Sequence, residues 1–227
     1  MMGLTLYRLS EFALAREHFE QDLTLSHAEE HALTGPIGPE VYCRSCAAWN
    51  LWILGHPDQA LQSSHDALRL AQKLAHPFTL ARALTGAAAF HLLRKEGDTA
   101  QEYVERYLAL STEHGLAFEL VIGTIQRGEA LARQGQVEEG IALLREGLTA
   151  RQATGAEAER SYYLAVLAEA YGAVGRAEEG LTVLAEALSY VDNTGERYWE
   201  AELYRLKGQL TLQQFQVSGS EFQVVDP

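Results

Sequence analysis

Apolar residues recur along this chain at the spacing of an α-helix, and the pattern itself repeats. Leu184 and Leu188 lie four residues apart and share one helix face, and Leu144 and Leu148 occupy the same positions one unit earlier. Ala, Leu, Glu, Gln and Arg dominate these stretches, and no proline occurs between Phe78 and Asp226. Because proline breaks helix interiors, the pattern predicts a chain that is almost entirely α-helical.

The recurrence has a period of 40 residues. Residues 115–154 align without gaps on residues 155–194, and twelve of the 40 aligned positions are identical. Small residues recur at the same interval at Ala48, Ala88, Gly128, Ala168 and Gly208. Each unit contains two helical patterns separated by a turn that usually contains glycine, so the sequence predicts a tandem array of helical hairpins.

The units predict about eleven helices. The hairpins span residues 2–31, 40–75, 78–111, 116–153 and 156–191, followed by an unpaired helix over 195–214. A single hairpin cannot bury its apolar stripe alone, whereas stacked hairpins can, and this predicts an all-α, right-handed superhelix. We therefore expect one repeat array over residues 1–214, with an incomplete first pair, and a disordered tail over 215–227.

Two glycines lie inside predicted second helices of the hairpins, where they cost stability. Gly140 and Gly180 are each expected to cost about 1 kcal/mol relative to alanine. Close approach of a neighbouring helix would compensate for this cost. The glycines therefore predict tight packing within the hairpins.

Composition and charge exclude several classes of protein. Hydrophobic residues make up 47% of the 227 residues, but no uncharged apolar run is long enough to cross a bilayer. The net charge of -13 would repel nucleic-acid phosphates and anionic membranes. With two cysteines and no signal-peptide pattern in MMGLTLYRLSEF, the sequence predicts a soluble, cytoplasmic protein.

Each unit carries a known order of small, aromatic and leucine positions. In the last full unit these are Ala168, Tyr171, Gly175, Gly180 and Leu184. This order resembles the tetratricopeptide (TPR) repeat, whose usual period is about 34 residues. The longer period here resembles the MalT-like TPR subclass of bacterial signalling ATPases.

One segment resembles a more specific group of proteins. The stretch TGERYWEAELYRLKGQL, residues 194–210, is similar to a segment near the C-terminus of bacterial predicted ATPases and adenylate/guanylate cyclase-like STAND signalling proteins. That resemblance implies a TPR module for protein interaction or effector sensing in signal transduction, with a linked nucleotide-binding domain among its partners. A stand-alone TPR scaffold, or a small-molecule-binding or zinc-binding protein, remains an alternative.

The sequence predicts no catalysis within this chain. It contains no GxxxxGK[ST] loop to hold a triphosphate, and its three lysines, Lys73, Lys95 and Lys207, lie outside any glycine-rich loop. The histidines have no partnered nucleophile at a suggestive spacing. We expect no cofactor, and any ATPase or cyclase activity would reside in a domain that this chain lacks.

A metal site has one weak candidate set. His27 and His31 are spaced i, i+4, and Cys43 and Cys46 follow at i, i+3 on the next helix. Two histidines and two cysteines on adjacent helices would suit tetrahedral zinc. The preferred interpretation is that the cysteines are apolar core residues and the histidines are solvated.

The concave face of the array is the predicted recognition surface for a protein or peptide. First helices of the hairpins line this face in TPR-like arrays, and aromatic and arginine side chains commonly carry binding energy. When the units are aligned on their series of small residues, the predicted contact residues are Tyr42, Trp49, Trp52, Arg82, Glu129, Tyr162, Glu169, Glu202 and Arg205. The alternative interpretation is that Trp49 and Trp52 only fill space between helices.

Overall fold

The computed structural model describes the backbone of residues 2–28 and 38–221, and the side chains of residues 2–25 and 38–216. This part of the chain contains eleven α-helices and no strand. The helices are α1 (Met2–Arg8), α2 (Phe12–Ala28), α3 (Pro39–Ile53), α4 (Pro57–Leu74), α5 (Pro77–Leu93), α6 (Gly97–Glu113), α7 (Ala117–Arg133), α8 (Val137–Ala153), α9 (Arg160–Ala173), α10 (Ala177–Thr194) and α11 (Glu200–Glu221). The predicted all-α repeat array is confirmed.

Turns within the hairpins use a left-handed residue at a fixed position. Gly55, Gly135 and Gly175 have φ of 80°, 89° and 78°, and Lys95 takes the same position with φ of 62°. The turns between hairpins form a second series, in which Gly115, Gly155 and Gly195 are joined by Ala75 with φ of 51°. Both series keep the 40-residue period. Positive φ suits glycine because it has no Cβ to clash with the backbone.

The two helices of a hairpin pack closely where glycine occurs. A Cβ built on Gly140 of α8 would lie 2.7 Å from the Gly128 carbonyl oxygen of α7, and one on Gly128 would lie 2.8 Å from the Gly140 oxygen. The two backbones are therefore in direct contact. Gly180 of α10 also lies close to its hairpin partner α9, with the Ala168 carbonyl oxygen 3.0 Å from a built Cβ. This close approach is what compensates for glycine inside a helix.

Odd-numbered helices stack side by side and form the inner wall of the array. Each of α3, α5, α7 and α9 contacts the next odd-numbered helix, and the even-numbered helices pack between them on the outer side. Buried leucine, alanine and tyrosine side chains fill the layers, including Leu144, Leu184 and Tyr107. In the described part of the chain, no helix is both long enough and apolar enough to span a bilayer.

The two ends of the array touch each other. The backbone N–H groups of Arg197 and Tyr198 donate to the Arg8 carbonyl oxygen at 2.8 and 3.2 Å. The rings of Tyr7 and Tyr198 lie 5.1 Å apart. We call this contact between the end of α1 and the start of α11 the clasp. The clasp partly closes the concave face of the array.

The termini differ in detail from the predicted boundaries. Helix α1 has seven residues and is the shortest of the eleven described helices. Helix α11 continues to Glu221, beyond the predicted start of the disordered tail at residue 215. The rest of that tail, and most of the predicted loop between the first two hairpins, lie outside the described residues.

Candidate functional site

The inner wall encloses three connected cavities. The inner chamber, of about 240 Å³, lies between the end of α1, helices α3, α5 and α7, and the loop before α9. The tyrosine niche, of about 40 Å³, joins the chamber through Trp49, Gln126 and Tyr163. The open groove, of about 580 Å³, continues from the niche past Tyr162 and Tyr198. The niche shares wall residues with each of the other two cavities, and we call the three together the channel.

Arg82 and Glu119 form an ion pair on the wall of the inner chamber. Arg82 Nη1 lies 3.2 Å from Glu119 Oε1, and the side chain of Glu119 is 1% exposed. The Thr85 hydroxyl donates to the other oxygen of Glu119 at 3.0 Å. The Arg82 guanidinium also lies over the ring of Tyr42, 4.7 Å from its centre. These contacts link α3, α5 and α7 and fix the direction of the guanidinium.

A second ion pair closes the chamber at the clasp. Arg8 Nη2 lies 3.1 Å from Glu159 Oε1 in the loop before α9. That loop is held by the buried Glu196 carboxylate, which accepts from the Glu159 backbone N–H and the Ser161 hydroxyl, both at 2.9 Å. Burial raises the pKa of the Glu196 carboxyl. The ends of the array are therefore joined by side chains as well as by backbone.

Arg151 is the third arginine of the chamber, and it comes from the outer helix α8. The residue is 6% exposed. Its Nη2 donates to the Ala158 carbonyl oxygen at 2.6 Å, and its guanidinium lies 5.7 Å from the ring centre of Phe118 and 5.3 Å from that of Tyr163. No carboxylate among the described residues forms an ion pair with it, and its Nε has no hydrogen-bond partner there.

A buried carboxylate lies beside the tyrosine niche. Glu129 is 1% exposed, and both of its oxygens accept from the Tyr162 hydroxyl at 2.9 Å. Arg133 Nη2 lies 3.5 Å from Glu129 Oε1. Burial raises the pKa of the Glu129 carboxyl, although Arg133 and the Tyr162 hydroxyl oppose the shift.

The open groove has charged rims and an aromatic floor. Arg133 Nη2 lies 3.0 Å from Glu169 Oε2, and Lys95 Nζ lies 3.8 Å from Glu169 Oε1. Trp199 lies against Tyr162, with the ring centres 5.0 Å apart. Such a surface offers apolar contact area beside donors and acceptors, which suits an extended polypeptide.

The structure brings together eight of the nine residues predicted for the concave face. Each of the eight lines at least one of the three cavities: Tyr42, Trp49, Arg82, Glu129, Tyr162, Glu169, Glu202 and Arg205. Trp52 lines none of the three cavities, and its ring packs edge-on against Phe90, with the ring centres 6.3 Å apart.

Trp49 fills space between helices and also lines the concave face. Its ring packs in the core near Ala48 and Phe90. The indole Nε1 donates to the Gly86 carbonyl oxygen at 3.1 Å, which ties α3 to α5. The same ring lines the chamber and the niche.

Sequence reasoning missed three residues that complete the chamber. Arg8 and Glu159 lie 151 positions apart in the chain, and nothing local indicates that they meet. Arg151 lies on a second helix of a hairpin, and the concave-face rule considers only first helices. One signal was present, because Arg151 falls on the buried face of α8 with Leu144 and Leu148, where a charged residue is unusual.

Two of the four candidate zinc ligands, Cys43 and Cys46, have side chains within the described residues. Cys46 is fully buried, and the Cys43 thiol lies 3.8 Å from the Phe19 carbonyl oxygen. Burial raises the pKa of the Cys43 thiol to about 12, which disfavours the thiolate that binds zinc. The side chain of His27 and the whole of His31 lie outside the described residues. No group of three potential ligands occurs in the described part of the chain.

Comparison with known proteins agrees with this geometry. The tetratricopeptide-repeat family model matches residues 41–63, 122–146 and 161–186. These matches fall on three of the four complete hairpins and omit α5–α6. The fold is a TPR-like solenoid. No curated protein matches the sequence.

Solved structures resemble this chain in fold at low sequence identity. A Rap protein complexed with Competence and Sporulation Factor has a TM-score of 0.60 at 16% identity, over 93% of this chain. The chain spans 63% of the length of that Rap protein. BtubC (BKLC) from P. vanneervenii has a TM-score of 0.56 at 16% identity, over 97% of this chain and 93% of its own. TPR-like repeats of a putative kinesin light chain from Podosopora anserina have a TM-score of 0.53 at 17% identity, covering 85% and 92% of the two chains.

Proposed function

We propose that this chain is a non-catalytic interaction module that binds an extended segment of a protein in the open groove. The observation that supports the proposal is the lining of the groove, which combines the aromatic residues Tyr162 and Trp199 with the charged residues Arg133, Glu169 and Arg205. Rigid aromatic side chains supply contact area at low entropic cost, and flanking charges fix the direction of a bound segment. In this proposal, residues 1–214 form a single repeat array.

The cellular role we propose is that of a cytoplasmic sensing module in a bacterial signalling ATPase. The resemblance of residues 194–210 to STAND-type regulators supports it, as does the likeness in fold to a Rap protein that was solved with a factor bound. Binding in the channel would favour one pitch of the superhelix and so bias a linked nucleotide-binding domain. A gene that encodes a P-loop domain in the same reading frame supports this role, and its absence favours a stand-alone scaffold.

Site-specific photo-crosslinking tests the groove assignment. A crosslinking amino acid is placed at Arg205 in the groove and, as the matched control, at Tyr204, which is 57% exposed on the same helix and lines none of the three cavities. We expect a discrete crosslinked partner from the position in the groove and none from the control. The adduct should disappear when Trp199→Ala is added. Equal crosslinking at both positions would refute the groove as the binding surface.

A further inference from the structure

The inner chamber contains a buried positive charge that the protein does not neutralise. Arg151 is 94% buried and lines the chamber, and among the described residues its one hydrogen bond goes to the neutral carbonyl of Ala158. A buried charge without a counter-charge is costly, and proteins almost always pair such groups. An unpaired guanidinium in a cavity therefore points to an anion supplied by a ligand.

The other charged residues of the chamber each have a partner of opposite charge. Arg82 pairs with Glu119 at 3.2 Å, and Arg8 pairs with Glu159 at 3.1 Å. The remaining acidic residue of the wall, Glu157, lies 3.5 Å from Arg160 on the next helix, which also pairs with Glu186 at 2.6 Å. Arg151 is thus the charged residue of the wall that has no partner of opposite charge among the described residues, and a ligand with one negative charge would supply it.

The guanidinium is positioned before any ligand arrives. It lies over Phe118 and beside Tyr163, and its Nη2 is held by the Ala158 carbonyl oxygen. Stacking on aromatic rings leaves the N–H edge of the guanidinium available, and that edge matches the two oxygens of a carboxylate. Tyr42, Trp49 and Phe118 supply apolar wall for the rest of the ligand.

We propose that the inner chamber binds a small organic monocarboxylate with a short apolar or aromatic body, and that Arg151 holds its carboxylate. The volume of about 240 Å³ exceeds that of several waters and suits a compact molecule. The clasp closes one side of the chamber, and this enclosure favours a free small molecule over the end of a polypeptide. Phe118, which is 40% exposed, marks the entry side.

A monocarboxylate fits better than a phosphate. A phosphate ester carries close to two negative charges at neutral pH. The second charge would have no counter-charge in the chamber and would lie near Glu157 and Glu159. This ligand site is separate from the open groove, so the proposal goes beyond the proposed interaction function and can fail independently of it.

Titration calorimetry on the full chain tests the site with defined probes. Benzoate, phenylacetate and acetate represent the carboxylates, benzamide is the neutral analogue of benzoate, and inorganic phosphate is the competing anion. We expect benzoate or phenylacetate to bind and to raise the melting temperature, and benzamide to bind at least about tenfold more weakly because it lacks the charge. Acetate should bind more weakly than either aromatic acid, because it leaves the aromatic walls unused.

Substitutions then assign the site to Arg151. Arg151→Gln should weaken benzoate binding by about tenfold to a hundredfold, as expected for a lost charge-assisted hydrogen bond. Arg145→Gln is the matched control, since Arg145 lies on the same helix, is exposed, and lines none of the three cavities. If Arg151→Gln does not fold, Arg151→Lys keeps the buried charge but removes the planar fork, and should still weaken binding clearly.

Three outcomes would overturn the proposal. The first is that no carboxylate probe binds at concentrations up to about 10 mM. The second is that phosphate binds as tightly as benzoate. The third is that Arg151→Gln or Arg151→Lys binds benzoate like the original protein. Crosslinking at Arg205 is measured on the same variants, so loss of the chamber ligand and loss of the groove partner are read separately.

Discussion

At the scale of single residues, the backbone of this array depends on positions that require a positive φ. Glycine fills most of them, but Lys95 and Ala75 hold left-handed conformations with φ of 62° and 51°. A Cβ in this region costs roughly 1–2 kcal/mol relative to the right-handed form. The two turns therefore lose stability that the equivalent glycine turns keep.

We expect Lys95→Gly to stabilise the protein by about 1 kcal/mol, since relief of the left-handed strain exceeds the added freedom of the unfolded chain. The substitution also removes the 3.8 Å ion pair with Glu169, but this pair is exposed and adds little to stability. Urea denaturation measures the change. Gly135→Ala, at the equivalent turn with φ of 89°, is the matched control and should lose stability. A Gly135→Ala variant that is as stable as the original protein would contradict the explanation by left-handed strain.

The buried Glu129 predicts a pH dependence with a definite sign. Its ordinary pKa is 4.5, and burial raises the pKa in the folded protein. A raised folded-state pKa gives stability that is fully present below pH 4.5 and is lost as the pH rises through the folded pKa. The ionised form is thus the less favourable one in the folded state.

We expect Glu129→Gln to gain stability relative to the original protein as the pH rises above 4.5, because the amide cannot ionise but can still accept from Tyr162. The measurement is the difference in the free energy of unfolding between the two proteins at several pH values. Glu102→Gln, at an exposed site on α6, controls for the loss of one negative charge. If the stability of Glu129→Gln relative to the original protein does not change with pH, or falls as the pH rises, the raised pKa of Glu129 is contradicted.

The sequence predicted the candidate site unevenly, and the reason is the range of the interactions. Tyr162 and Glu129 lie on first helices of adjacent hairpins, so the 40-residue register was sufficient to place them together. Trp52 lines none of the cavities because its ring packs against Phe90, a contact that the register does not indicate. Arg8 and Arg151 reach the chamber through the clasp and through an outer helix, and neither route is visible in a repeat pattern.

At the scale of helices, the hairpin is set by backbone contact rather than by side-chain volume alone. Gly128 and Gly140 face each other where α7 crosses α8, with no room for a methyl group on either. Helix propensity and packing therefore oppose each other at Gly140. The sequence predicted the bounds of the hairpins well, because helical periodicity and glycine turns are local signals.

We expect Gly140→Ala to destabilise the protein by at least about 2 kcal/mol, despite a gain of about 1 kcal/mol in helix propensity, because the new Cβ would overlap backbone atoms. Gly208→Ala in α11 is the matched control, since a built Cβ there has no atom within 4 Å. The control should gain about 0.5–1 kcal/mol from propensity alone. Chemical denaturation of both variants compares the two effects, and stabilisation of both would contradict the close approach of α7 and α8.

At the scale of the whole molecule, the clasp decides whether the channel is open or closed. Small rotations between successive hairpins add up along an array, so the distance between its ends depends on every unit. A repeat pattern indicates stacking but does not give this sum, which is why the sequence did not predict the contact between the two ends. In the structure, Tyr198 packs against Tyr7 and the cluster around Phe19 and Cys46.

We expect Tyr198→Ala to open the clasp while the central hairpins stay intact. The variant loses the ring contact with Tyr7, and the Arg8 backbone acceptor and the Arg8–Glu159 ion pair then hold the ends together with little apolar support. Hydrogen exchange should become faster in α1 and at the start of α11 but stay unchanged in α7 and α8, because local opening reports local packing. Small-angle scattering should show a larger radius of gyration. Tyr204→Ala, on the exposed side of α11, should change neither measurement. Uniformly faster exchange in Tyr198→Ala would mean that the side chain supports the whole core, whereas unchanged exchange in α1 would mean that other contacts hold the ends of the array together.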